Sequence, residues 1–62
     1  MMQQAFACEP PQGISYTGDM ERIEDGYLTL WRSNSGKEYL RIERRGEYHW
    51  FRLEIMSEVT TM

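Results

Sequence analysis

Structural staples are scarce in this chain. Cys8 is the only cysteine, so no disulfide can close within it, and a lone thiol suits a reducing compartment. One histidine beside one cysteine cannot furnish the nitrogen and sulfur ligands of a zinc site. No apolar run reaches the roughly eighteen residues that a membrane-spanning helix needs, so no contact with a membrane is expected. The opening "MMQQAFACEPP" has neither the basic start nor the apolar length of a secretory signal, and a cytoplasmic location is expected. What remains is a chain of 62 residues, a length at which burial barely outweighs the entropy of ordering. Without covalent or metal support, a partner chain is the remaining staple, and a homo-oligomer is one expectation.

The composition nevertheless describes a folded domain. Hydrophobic residues make up 40% and aromatics 13%, too many for a disordered tail. The net charge of −3 is unevenly spread. Met1 to Gly26 carries five acids against Arg22, a balance of −4, while Tyr27 to Met62 carries five acids against six bases, a balance of +1. An acidic first half suits a basic protein partner.

Residues 1–13 have no period and end in "EPPQG", which reads as an irregular N-terminal arm. Residues 14–62 read as a single small antiparallel β domain. Short alternating segments, "ISYT", "MERIE", "YLTLWR", "EYLRIERR" and "EYHWFRLEI", are separated by Gly18-Asp19, Asp25-Gly26, Asn34-Ser35-Gly36 and Gly46. Asp-Gly between alternating segments predicts a type I′ hairpin turn centred on those two residues. The fold class is mainly β: a meander of three to five strands, with curling into a small barrel as a variant. A helix over Met20 to Glu24 is too short to compete, and "IMSEVTTM" reads as a fraying extension of the last strand.

Strand parity sorts the side chains onto two faces. Leu28, Leu30, Leu40, Ile42, His49, Phe51, Leu53 and Ile55 form one, expected to be the core. Tyr27, Thr29, Trp31, Tyr39, Arg41, Glu43, Tyr48, Trp50, Arg52 and Glu54 form the other. Five large aromatics with interleaved arginines exceed what a solvated face needs. Either that face is also covered, by the arm or by curling, or it binds another molecule through residue types that dominate interface hot spots; a slip of one residue would exchange the two faces.

Chemical sites are thin. "NSGK" at Asn34 to Lys37 lacks the spacing and the following helix of a phosphate loop. Arg44 and Arg45 in "ERRGE" read as a charged hairpin tip, and His49 as a hydrogen-bonded residue at the edge of the core. Cys8 has no basic neighbour to activate it. Asp19, Glu21, Glu24 and Asp25 do not match a calcium loop and read as an acidic rim. No metal, cofactor or catalytic group is expected, and the chain is expected not to be an enzyme.

Tiny, acidic, rich in aromatics and without catalytic groups, the chain is similar in size and composition to the small inhibitors made by bacteriophages and other mobile elements, including anti-CRISPR and anti-restriction proteins. The resemblance implies an acidic surface that occupies the basic channel of a host protein handling nucleic acid, anchored by an aromatic patch. The protein-binding residues expected from this reading are Tyr27, Trp31, Tyr39, Trp50 and Arg52, with charge complementarity from Asp19, Glu21, Glu24 and Asp25. The alternative is a small nucleic-acid-binding or transcription-regulatory module, in which bases stack on the rings and Arg41, Arg44, Arg45 and Arg52 meet phosphates.

Overall fold

The computed structural model describes residues 2–56, with side chains described for residues 4–54. Five strands, β1 (Met2–Cys8), β2 (Ile14–Ile23), β3 (Gly26–Ser33), β4 (Glu38–Arg44) and β5 (Glu47–Met56), form one sheet in the order β1-β5-β4-β3-β2. Every neighbouring pair is antiparallel. The sheet is open, with β1 and β2 as its two edges, so the barrel variant is not adopted. Among the described residues no helix is long and apolar enough to cross a membrane. The segment from Ser57 onward, where the last strand was expected to fray, lies outside the described residues.

Turn chemistry sets the register. Arg45 (φ 51°) and Gly46 (φ 82°) both take positive φ between the paired residues Arg44 and Glu47, the backbone of a type I′ hairpin. Between β3 and β4, the Ser33 carbonyl accepts the Gly36 N–H at 3.0 Å, and Ser33 N–H donates to the Lys37 carbonyl at 2.8 Å. "NSGK" is thus a hairpin loop closed by Ser33, as the sequence reading held.

The first hairpin corrects that reading by one residue. Ile23 pairs with Gly26, so the turn is Glu24-Asp25, with Asp25 at φ 64°. Gly26 belongs to β3, where an added Cβ would overlap the Glu43 carbonyl oxygen. Its lack of a side chain is a demand of close strand approach, not of turn geometry. Gly18-Asp19 is a second correction. It makes no turn, because β2 runs through it with a bulge between the pairs Tyr16–Trp31 and Met20–Thr29. Three residues on β2 there oppose Leu30 alone on β3. The Thr17 hydroxyl donates to the Leu30 carbonyl at 2.9 Å and accepts the Asp19 N–H at 3.2 Å, occupying backbone groups that the ladder leaves free.

The N-terminal arm is more regular than expected. Met2–Cys8 pairs along β5, which leaves Glu9 to Gly13 as the irregular part. That link has a demanding span. Cys8 sits level with Trp50, Arg41 and Thr29, whereas Ile14 sits level with Ser33, four residues farther along β3. In a flat sheet the two would be about 23 Å apart, from four strand spacings of about 4.8 Å and four residues of about 3.3 Å. Six residue steps reach about 21 Å at most. The sheet therefore curls, and the stiff Pro10-Pro11 pair acts as a strut between its edges.

Parity holds across β3, β4 and β5, with Leu28 opposite Ile42, Leu30 opposite Leu40 and Trp31 opposite Tyr39. The expected core does not hold. Among the described residues no apolar side chain is buried; the one buried residue is Thr29, 7% exposed, and it stands on the aromatic face. Among the described residues nothing is stacked over the leucine-bearing face, which is only half covered. His49, on the same face, is exposed and lies 3.6 Å from Glu47, so it is not a core residue.

Gly26→Ala should destabilise the protein by about 2–4 kcal/mol, because the clash is with backbone and cannot be rotated away. Gly46→Ala, with open space around it, should cost about 1 kcal/mol from backbone strain alone. Thermal unfolding followed by circular dichroism checks the ranking, with a Tm at least about 10 °C lower expected for Gly26→Ala.

Candidate functional site

The aromatic face is built by cross-strand pairing. Trp31 stands directly opposite Tyr16 on β2 and Tyr39 on β4, and Arg41 stands opposite Thr29 on β3 and Trp50 on β5. Tyr48 and Trp31 are then diagonal to Arg41, within reach of a long side chain. The Arg41 guanidinium lies 4.6 Å from the Tyr48 ring centre, 5.1 Å from Trp31 and 5.7 Å from Trp50. Large indoles also bridge β4 from either side: Trp31 and Trp50 meet edge to face, centroids 5.5 Å apart. Tyr16 leans on Trp31 at 5.3 Å. The Trp31 indole N–H donates to the Thr29 hydroxyl at 2.9 Å, so the ring is fixed at its polar end as well.

This cluster answers why arginine sits among rings. Arg41 Nε is withdrawn from solvent and has no hydrogen-bond partner, which costs about 1–3 kcal/mol. Three ring faces around one cation offset it, each worth about 0.5–2 kcal/mol according to solvation. Arg52 repeats the motif at the β1 edge, 4.8 Å over Phe6, and donates from Nε to Glu54 at 2.8 Å. That hydrogen bond raises the Arg52 pKa further, so the group stays cationic.

Around this packed centre stand the exposed rings. Tyr16 (45%), Met20 (58%), Tyr27 (41%) and Tyr48 (54%) are the exposed large hydrophobics among the described residues, and register puts all of them on the aromatic face. Tyr27, Trp31, Tyr39, Trp50 and Arg52 do share this face. Tyr16 and Met20 were missed, because Gly18 was read as a turn; two extra residues in the bulge preserve parity across it, and that count was the available signal.

The acids do not all join them. Glu21 is opposite Leu28 and thus on the leucine face, with Asp19 two residues before it. Glu24 and Asp25 form the turn beside Tyr27, and Asp25 lies 3.6 Å from Arg45. The arginines are also divided. Arg41 and Arg52 are on the aromatic face, Arg44 is opposite Glu47 on the other face, and Arg45 is at a hairpin tip. They form no common patch.

Two of the surface hollows lie beside the residues named above. A polar depression of about 600 Å³ beside the β2–β3 turn is lined by exposed groups, among them Glu24, Asp25 and Arg45. A groove of about 550 Å³ on the other face is lined by Leu28, Leu30, Leu40 and Leu53 and rimmed by Asp19, Met20, Glu21 and Glu38. Among the described residues no group of three or more His, Cys, Asp or Glu is placed to hold a metal ion. No family model, curated protein or solved structure matches the chain, so any assignment rests on this geometry and the sequence.

Arg41→Ala should uncover the two indoles, shift tryptophan emission to the red and lower stability by about 2 kcal/mol, the combined contribution of the ring contacts. Arg44→Ala should leave emission unchanged and stability within about 0.5 kcal/mol. Fluorescence with urea unfolding makes both measurements.

Proposed function

We propose that this chain is a non-enzymatic protein-binding module, a small acidic inhibitor of a host protein that handles nucleic acid, of the kind made by phages and other mobile elements. The supporting observation is the gathering of Tyr16, Met20, Tyr27 and Tyr48 on one face, around a centre already fixed by Arg41. Rigid, partly exposed rings that keep a hydroxyl in water bury much area at little entropic cost on binding. Glu24 and Asp25, at the turn next to Tyr27, supply negative charge at the end of the patch, where a basic channel would meet it.

The nucleic-acid alternative draws less support. Stacking needs free ring faces and a basic footprint, yet Arg41 already occupies the faces of Trp31, Tyr48 and Trp50. The arginines are dispersed and the net charge is −3, so the phosphate attraction would be weak.

The test is affinity capture from host lysate with and without nuclease. The captured protein should survive nuclease treatment, be retained by Arg44→Ala/Arg45→Ala and be lost by Tyr16→Ala/Tyr27→Ala, two exposed rings that are not stacked on Arg41, with the fold verified by circular dichroism. Capture that persists without the tyrosines, or disappears with nuclease, overturns the proposal.

A further inference from the structure

We propose that the leucine-bearing face is the interface with a second copy of this chain, giving a two-fold β-sandwich whose aromatic faces point outward. Leu28, Leu30, Leu40, Ile42, Phe51 and Leu53 converge on that face, and none is buried in the single chain. Arg41 and the indoles clasp the centre of the opposite face; among the described residues this one has no such device. A chain without a disulfide or metal needs that burial.

The area is sufficient. Five strands at about 4.8 Å spacing and seven paired residues at about 3.4 Å give a face of about 570 Å² before relief is counted. Doubled, that is about 1,140 Å² in total for faces whose curls match, above the roughly 1,000 Å² that a specific interface must clear. The leucine-lined groove of about 550 Å³ provides depth for side chains of the second copy to enter.

Charge selects the symmetry axis. β4 is the central strand, with Glu38 at one end of this face and Arg44 at the other. A two-fold axis along the strands would stack Glu38 on Glu38 and Arg44 on Arg44 of the second copy. An axis across the strands at the level of Arg41 instead sets Glu38 over Arg44, Leu40 over Ile42 and Leu28 over Leu30. The second arrangement pairs opposite charges on β4 and apolar groups on β3 and β4, while on β5 it sets Phe51 over His49 and Leu53 over the stem of Glu47; it is isologous, so each contact occurs twice. Glu38 already pairs with Arg32 at 2.9 Å, which leaves a carboxylate able to serve both. Asp19 and Glu21 of the two copies approach at the β2 rim, where solvent screens them. The sheets would pack in the aligned sandwich geometry, about 30° apart.

Sedimentation equilibrium of the full chain at micromolar concentration should give twice the chain mass of 7.4 kDa, and Tm should rise with concentration. Leu40→Glu should give monomers. Because that variant risks unfolding, the surface reversals Glu38→Arg and Arg44→Glu provide a second arm: each alone should weaken the dimer at least about tenfold, and the double variant should restore it. Within one chain these residues are six positions apart on an extended strand, about 20 Å, so rescue reports pairing between copies. A wild-type mass of 7.4 kDa, including one that rises only when another protein is added, overturns the proposal; so does a dimer indifferent to Leu40→Glu and to the single reversals. Failure of the double variant to restore pairing overturns the two-fold arrangement. The tyrosine variants that test partner binding leave the mass unchanged, which separates the two proposals.

Discussion

A single sheet has two faces, and the described residues form no second layer with which to cover either. Every feature of the molecule follows from how that constraint is met. Packing sheet on sheet or helix on sheet normally removes one apolar face from water. Here the five strands use all of the described chain except the turns and the strut at Pro10-Pro11, so burial must come from side chains folding over their own sheet.

Large side chains can do this and short ones cannot. On the aromatic face, Trp31 and Trp50 reach over β4 until their rings meet, and Arg41 fills the space between them and Tyr48. Thr29, beneath, is the most completely covered residue described. The result is a small core made largely of amphipathic groups, held by ring quadrupoles, one cation and an indole hydrogen bond. On the other face leucine and isoleucine are too short to bridge strands above the backbone, so they remain half open however well they alternate. The aromatic face therefore has a clasped centre within an exposed rim, and the leucine face has no such centre among the described residues. Mechanically, this gives a rigid clasped patch on one side and, among the described residues, a half-open apolar surface on the other.

Much of this was legible in the sequence. Period-two alternation from Tyr27 to Leu53 fixed which side chains share a face, and Gly46 and Asn34-Ser35-Gly36 marked two of the turns. Local signals failed where backbone and distant strands compete. Asp25-Gly26 satisfies the hairpin preference, yet Gly26 is required in β3 by the Glu43 carbonyl, a contact fixed only when β4 pairs. Gly18 resembles a turn residue, but the Thr17 hydroxyl turns it into a bulge by taking up the Leu30 carbonyl. Met2–Cys8 carries little alternation of its own and becomes a strand by adding to the β5 edge. The aromatic patch was half legible for the same reason: Tyr27, Trp31 and Trp50 came from parity, while Tyr16 and Met20 needed the bulge. Burial misled most, because "apolar face" was equated with "core", and hydropathy does not reveal whether anything is available to cover it.

The central claim is that the centre of the aromatic face is clasped within one chain by Arg41 and the indoles, and that the described leucine face has no equivalent. Methyl and indole NMR with a soluble paramagnetic probe tests it most directly, by comparing dilute and concentrated samples. The account predicts strong broadening of the Leu28, Leu30, Leu40 and Leu53 methyls in dilute solution and protection on concentration, with the Trp31 indole N–H protected throughout. Leucine methyls protected at every dilution, together with a freely broadened Trp31 indole, would contradict it.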